Sequence, residues 1–113
     1  MDLDPTIARY FATADGSDPD TFASAFTEDA TVTDEGRTHR GRAEIVAWRA
    51  AANAKYRVTV TPRTVTARDG LTVVTALVEG DFPKAGLPDP LLLDYRFGLS
   101  DTGISSLAIG LSR

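Results

Sequence analysis

The sequence predicts an α+β layer fold in a single domain, residues 1–113: three helices, then a mostly antiparallel, strongly bent sheet. Three observations carry this. Apolar residues recur at helical spacing between about residues 4 and 53, then alternate at period two from Tyr56 onward. Asp4-Pro5 and Asp18-Pro19 each pair a capping acid with a proline at the first helical position. The apolar parity breaks at Pro62, as a bulge in a curved sheet would make it break.

In helix one, Ile7, Tyr10, Phe11 and Ala14 fall at i, i+3, i+4 and i+7, one apolar stripe that Gly16 ends. Helix two runs from Asp18-Pro19 to about Thr27, with Phe22 and Phe26 four apart on one face. A strand spans Ala30–Glu35, where Ala30, Val32 and Asp34 share one side and Thr31, Thr33 and Glu35 the other. Gly36 turns the chain into a short Thr38–Arg40 segment. Gly41 caps helix three, whose Ile45, Trp48 and Ala52 share a face. Tyr56, Val58 and Val60 then alternate with Arg57, Thr59 and Thr61. Past Pro62-Arg63 the apolar positions move to Val65 and Ala67, which one bulged residue explains. Asp69-Gly70 is a hairpin turn into a strand Leu71–Phe82. Pro83–Pro90, with three prolines and one glycine, is a connection. Leu91–Ser100 and Ile104–Ser112 close the domain, joined by the turn Asp101-Thr102-Gly103.

Composition narrows the function classes. A net charge of -4 and a pI near 4.8 disfavour nucleic acid as a partner, since phosphates want a basic patch. Arg37, Arg40 and Arg42 read as a solvated turn. With no cysteine there is no disulfide, thiolate metal site or thiol nucleophile. The start MDLDPTIARY is acidic and lacks an apolar run, so no signal peptide is expected. The apolar runs are too short to span a membrane. These bounds fit a cytoplasmic enzyme or binding protein.

The pattern F-x-x-D-A-x-V-x-D followed by R-G-R-x-x-I is formed here by Phe26, Asp29, Ala30, Val32, Asp34, Arg40, Gly41, Arg42 and Ile45. With it, and over essentially the whole chain, the sequence resembles the nuclear transport factor 2-like superfamily and, within it, the SnoaL-like group. The resemblance implies a cystatin-like cone: helices packed into the concave face of the bent sheet, with an apolar pocket at the wide end. It also implies a homodimer through the sheet's outer face. Members include isomerases, polyketide cyclases, dehydratases, epoxide hydrolases and binding proteins, so the fold alone settles no chemistry.

The candidate site starts from Asp34. An acid on the buried side of a strand, beside Ala30 and Val32, is costly unless hydrogen-bonded or solvated by a cavity. In the steroid isomerase of this superfamily an aspartate base moves a proton while a tyrosine and a protonated aspartic acid hold the enolate oxygen. On that resemblance Tyr10 matches the tyrosine and Asp34 the base. The third position falls on Asp94 by direct alignment and on Tyr95 through the following turn. Tyr95, Phe97 and Leu99 share one face and Asp94, Arg96 and Gly98 the other, and the last strand offers Leu107, Ile109 and Leu111. Those apolar stripes are expected to line the concave surface, which puts Asp94 outside.

The bland readings stand beside these. Tyr10 is also a packing residue, and Asp34 also a carboxylate braced by backbone near Gly36 or by Arg37. His39, the single histidine, reads as a rim or turn residue that could serve as a base. Glu28, Asp29 and Glu35 alternate in direction and read as a solvated face. Asp81 is an edge charge. No phosphate loop, nucleophile elbow or metal-ligand motif is present, so neither metal nor cofactor is expected.

Two functions follow. One is a cofactor-free isomerase or cyclase acting on an apolar carbonyl compound, with Asp34 as general base and Tyr10 or Tyr95 as donor to the oxyanion. The other is a non-catalytic ligand-binding or dimeric assembly module. In both, the pocket is walled by Phe11, Phe26, Trp48, Tyr95, Phe97, Leu107 and Ile109 around a small apolar molecule or, in the second, only packed side chains.

Overall fold

A computed structural model describes residues 2–112. Its elements are α1 (Pro5–Thr13), α2 (Pro19–Ser24), β1 (Phe26–Asp34), β2 (Arg37–Arg40), α3 (Arg42–Tyr56), β3 (Thr59–Arg68), β4 (Leu71–Glu79), β5 (Leu92–Ser100) and β6 (Gly103–Leu111). The strands form one sheet in the order β2-β1-β6-β5-β4-β3. Only β1 and β6 run parallel; the other neighbours are antiparallel. This is the expected α+β cone.

Local chemistry sets the helix ends. Asp4 caps α1 by accepting from the Thr6 N–H at 2.8 Å, and Asp18 caps α2 by accepting from the Thr21 N–H at 3.1 Å. Each is followed by proline at the first position. The register between β3 and β4 slips between Pro62 and Thr64, so the bulge falls where the parity breaks. Asp69 and Gly70 both take positive φ, 54° and 78°, the geometry of a tight hairpin whose twist matches its strands.

Three boundaries differ from the sequence reading. Helix two stops at Ser24, and Phe26 is already the first residue of β1, because β6 captures the chain: the Ile104 N–H donates to the Ala25 carbonyl at 2.8 Å. Phe22 and Phe26 still meet, ring centroids 5.4 Å apart, but across the helix–strand junction. Helix α3 continues through Tyr56 and is closed by Arg57 in the left-handed region at φ 49°. Tyr56 mimicked a strand position because it faces the same space as Val58. Strand β4 ends at Glu79, before Phe82, since the chain must pass the end of α3. There the Asp81 N–H donates to the Tyr56 carbonyl at 2.7 Å. A Cβ on Gly80 would lie 2.9 Å from that carbonyl, so only glycine fits.

Candidate functional site

Parity along the strands gives the inner face, but depth along the cone separates core from cavity. On β6, Leu107 is 1% exposed, Ile109 half-buried and Leu111 42% exposed. The covered end is filled by an aromatic cluster. The Tyr10 ring sits 5.1 Å from Phe11, 5.4 Å from Phe22, 5.9 Å from Phe26 and 5.4 Å from Phe97. The open end holds a cavity of about 880 Å³. Its walls are Trp48, Ala52 and Tyr56 of α3, Val78, Leu93, Tyr95 and Ile109 of the sheet, and Phe82, Leu87 and Leu91 of the connection.

Asp34 ends β1 at the mouth of this cavity. Sheet register places it beside Ile109, which stands beside Tyr95, which stands beside Val74. Asp34 and Tyr95 are therefore two strands apart, roughly 10 Å between backbones at about 4.8 Å per strand. A ligand fits between them. The Asp34 carboxylate is half-buried and accepts a hydrogen bond from the Trp48 indole N–H at 3.2 Å, not from Gly36 or Arg37. Desolvation raises its pKa above the usual carboxylate value. The Trp48 bond opposes that rise, the Glu35 charge adds to it, and Arg49 and His39 oppose it more weakly. His39 lines the cavity with its ring tilted 32° against Trp48, centroids 5.9 Å apart.

Tyr10 is 1% exposed and belongs to the aromatic core. Burial pushes its pKa up to about 12, against the pull of Arg49 and with a further push from Asp34. Its hydroxyl faces Arg49 but has no well-formed hydrogen bond. Tyr95 bridges the two regions, packing on Phe11 at 5.4 Å and walling the cavity. Desolvation, then the neighbouring Tyr10, lift its pKa well above the usual phenol range, so it is a donor at any ordinary pH.

Of the expected pocket wall, Trp48, Tyr95 and Ile109 line the cavity with Asp34. Phe11, Phe26, Phe97 and Leu107 do not line it and pack in or against the core. Alternation cannot tell these groups apart, because both lie on the concave face. Asp94 points to the outer face, 8% exposed, accepting from the Thr75 hydroxyl at 2.6 Å with Arg96 Nη2 at 3.8 Å. Tyr95, not Asp94, therefore faces inward. Glu28 and Asp29 are exposed, and Asp81 sits 4.0 Å from Arg57 at the surface. Among the described residues no three side chains of metal-ligand type gather. Nor, among the described residues, is any helix long and apolar enough to cross a membrane.

Arg49 was missed by the sequence reading. It is 7% exposed and lines the cavity, with its guanidinium carbon 5.0 Å from the Trp48 ring centre. The available signal was its spacing. Arg49 is i+4 from Ile45 and i−3 from Ala52, inside the stripe that packs on the sheet.

Residues 7–97 match the model of the SnoaL-like domain. A candidate polyketide cyclase from Sinorhizobium meliloti is 33% identical with a TM-score of 0.87, the match covering 97% of each chain. A protein of ketosteroid isomerase-like fold from Catenulispora acidiphila, solved with trimethylamine, is 22% identical with a TM-score of 0.81, covering 98% of this chain and 88% of that one. TerC, co-crystallised with polyporic acid, is 16% identical with a TM-score of 0.76 over 95% of this chain and 88% of its own. Among curated proteins nothing matches.

Proposed function

Because this chain belongs to the SnoaL-like domain family, we propose that its cavity binds a small, largely apolar carbonyl compound and moves a proton on it without a cofactor. The observation that carries this is Asp34: a half-buried carboxylate, its pKa raised by desolvation, at the mouth of a cavity of about 880 Å³. That volume suits a drug-sized ligand. Asp34 takes a proton from the carbon next to the carbonyl, and Tyr95 donates to the enolate oxygen that forms. Tyr10 stands behind Tyr95 in the aromatic core, outside the cavity wall, and backs that residue rather than the ligand. Return of the proton to another carbon is an isomerisation. Attack of the enolate on a second carbonyl of the same molecule, with the proton passed to the new alkoxide, is a cyclisation.

In the same reading the protein works in the cytoplasm as a homodimer paired through the outer sheet face. Support comes from the apolar pair Leu77 and Leu92, adjacent across β4 and β5 on that side. The second reading, a ligand-binding module without chemistry, draws on the cavity's inert wall at Val58, Val78, Leu91 and Leu93. Solvent deuterium exchange at the α-carbon of a panel of cyclic ketones decides between them. Asp34→Asn is nearly isosteric, and loss of a general base should slow exchange by about 10²–10⁴-fold. Exchange equally fast in Asp34→Asn rejects Asp34 as the base, and ligand binding without exchange leaves the binding module.

A further inference from the structure

Arg49 is poorly explained by the protein alone. A guanidinium carries its charge throughout and offers five N–H donors in a fixed fork. Among the described residues, Arg49 makes one long hydrogen bond, 3.3 Å from Nη2 to Asn53 Oδ1, and no carboxylate stands within 4.0 Å. Its Nε is buried without an acceptor, and so is the Tyr10 hydroxyl that it faces. The Trp48 ring eases the charge but accepts none of the N–H groups in plane. A buried charge matched this badly is costly, and methionine or leucine would pack the same helical position without that cost.

The surroundings point the same way. The chain is net -4, yet Arg37, Arg49 and Lys55 line the cavity against only Asp34 and Glu35. Such a lining draws anions in.

We infer that Arg49 is an anion receptor, and that the ligand class is an apolar ring compound bearing a carboxylate, which the guanidinium fork takes up inside the cavity. The inference rests on the reading that this cavity holds a ligand. A carboxylate accepts two parallel N–H bonds from a guanidinium, a geometry that none of Arg49's present partners supplies. Seated there, the ligand presents its ring to the Val78 and Leu93 wall and its reactive carbon toward Asp34. Arg49 thereby fixes which molecules enter, a specificity role in addition to its charge effect on Asp34 and Tyr95.

The protein contains a single tryptophan, and it lines the cavity, so Trp48 emission reports occupancy. The probes are adamantane-1-carboxylate and adamantane-1-carboxamide, alike in shape and transparent where tryptophan absorbs, with calorimetry as a second readout. The wild type should bind the carboxylate at least tenfold tighter than the amide. Arg49→Met should level the two affinities and, by removing an unpaired charge, raise the melting temperature. Equal affinities in the wild type, or a preference that survives Arg49→Met, overturn the inference and leave the ligand cavity standing. Binding of neither probe overturns both. Should Arg49→Met fail to fold, Arg49→Lys decides: an ammonium cannot form the fork, so the preference should fall several-fold, and an unchanged preference is a refutation.

Discussion

Phe97→Ala and Leu93→Ala test the boundary between core and cavity, because both residues lie on the inner face of β5 at different depths. Phe97 is 1% exposed and meets Tyr10, Phe11 and Tyr95 at centroid distances of 5.4, 5.8 and 6.4 Å. Truncating such a ring costs about 3–5 kcal/mol. Aromatic pairs each add about 0.5–1.5 kcal/mol beyond area, which favours the upper half. Leu93 is only partly buried and faces space that is already open. Full burial of its three lost carbons would contribute about 2.4 kcal/mol at about 0.8 each. Half-burial with no new enclosed void leaves about 1 kcal/mol. An unfolding entropy of about 2.1 cal/mol/K per residue gives roughly 0.24 kcal/mol/K for this chain. The expected melting-temperature losses are then about 12–20 °C for Phe97→Ala and about 4 °C for Leu93→Ala. Scanning calorimetry measures both, with Phe97→Leu, at about 1–2 kcal/mol, as the milder variant if alanine prevents folding. Equal losses at the two sites would refute the division of the concave face.

Asp34→Asn also has a stability signature. The folded-state pKa of Asp34 is raised above its ordinary 3.8, so the folded protein holds that proton longer than the unfolded chain. The wild type's stability relative to Asp34→Asn is therefore greatest below about pH 4 and falls as pH rises through the raised pKa, then levels. Urea midpoints for both proteins against pH check this, and a difference that grows with pH contradicts the assigned environment. Asp15 and Asp18, whose pKa values are lowered by bonds to Ser17 and Thr21, titrate alike in both proteins and cancel. On the outer face, light scattering should give twice the 12.1 kDa chain mass, and Leu77→Lys should return it to the monomer. A monomer mass for the wild type at high micromolar concentration rejects the dimer.

Much of the fold was legible because its signals are local. Asp4-Pro5 and Asp18-Pro19 start helices through their own side chains, and Asp69-Gly70 closes a hairpin through its own dihedrals. The boundaries that shifted depend on distant partners. Phe26 is drawn into β1 by Ile104, and β4 stops where Gly80 passes the Tyr56 carbonyl. The site divides in the same way. Alternation puts Asp34 on the inner face and, at Asp94-Tyr95, turns the acid out and the phenol in. Depth along the cone is not periodic, so Phe97 and Leu107 read like Tyr95 and Ile109. Arg49 stayed hidden because a charged residue in a helix is usually solvent-facing, and only its neighbours at Ile45 and Ala52 suggested otherwise.

That inversion at Asp94-Tyr95 shapes the chemistry this cavity can carry. A protonated aspartic acid at the inner position would be a strong donor to an enolate, but only while its pKa stays far above neutral. Tyr95 needs no such tuning, since burial merely drives an already neutral phenol further from ionisation. The phenol is the weaker acid and the weaker donor. Arg49 supplies what the exchange removes: its positive charge acts on Tyr10, Tyr95 and Asp34 together, pulling each pKa down against desolvation. A charge that eases ionisation of Tyr95 also strengthens that phenol as a donor, and in the proposed reaction it would stabilise negative charge on a ligand oxygen beside it. The same charge weakens Asp34 as a base. If Asp34 is the base, as proposed, the arrangement should favour substrates whose α-proton is already acidic, such as a carbon flanked by two carbonyl groups, over a simple ketone. Comparing deuterium exchange in a β-diketone and in cyclohexanone tests this. After correction for intrinsic rates, the wild type should accelerate the diketone more, Arg49→Met should narrow the gap, and equal acceleration of both would refute the argument.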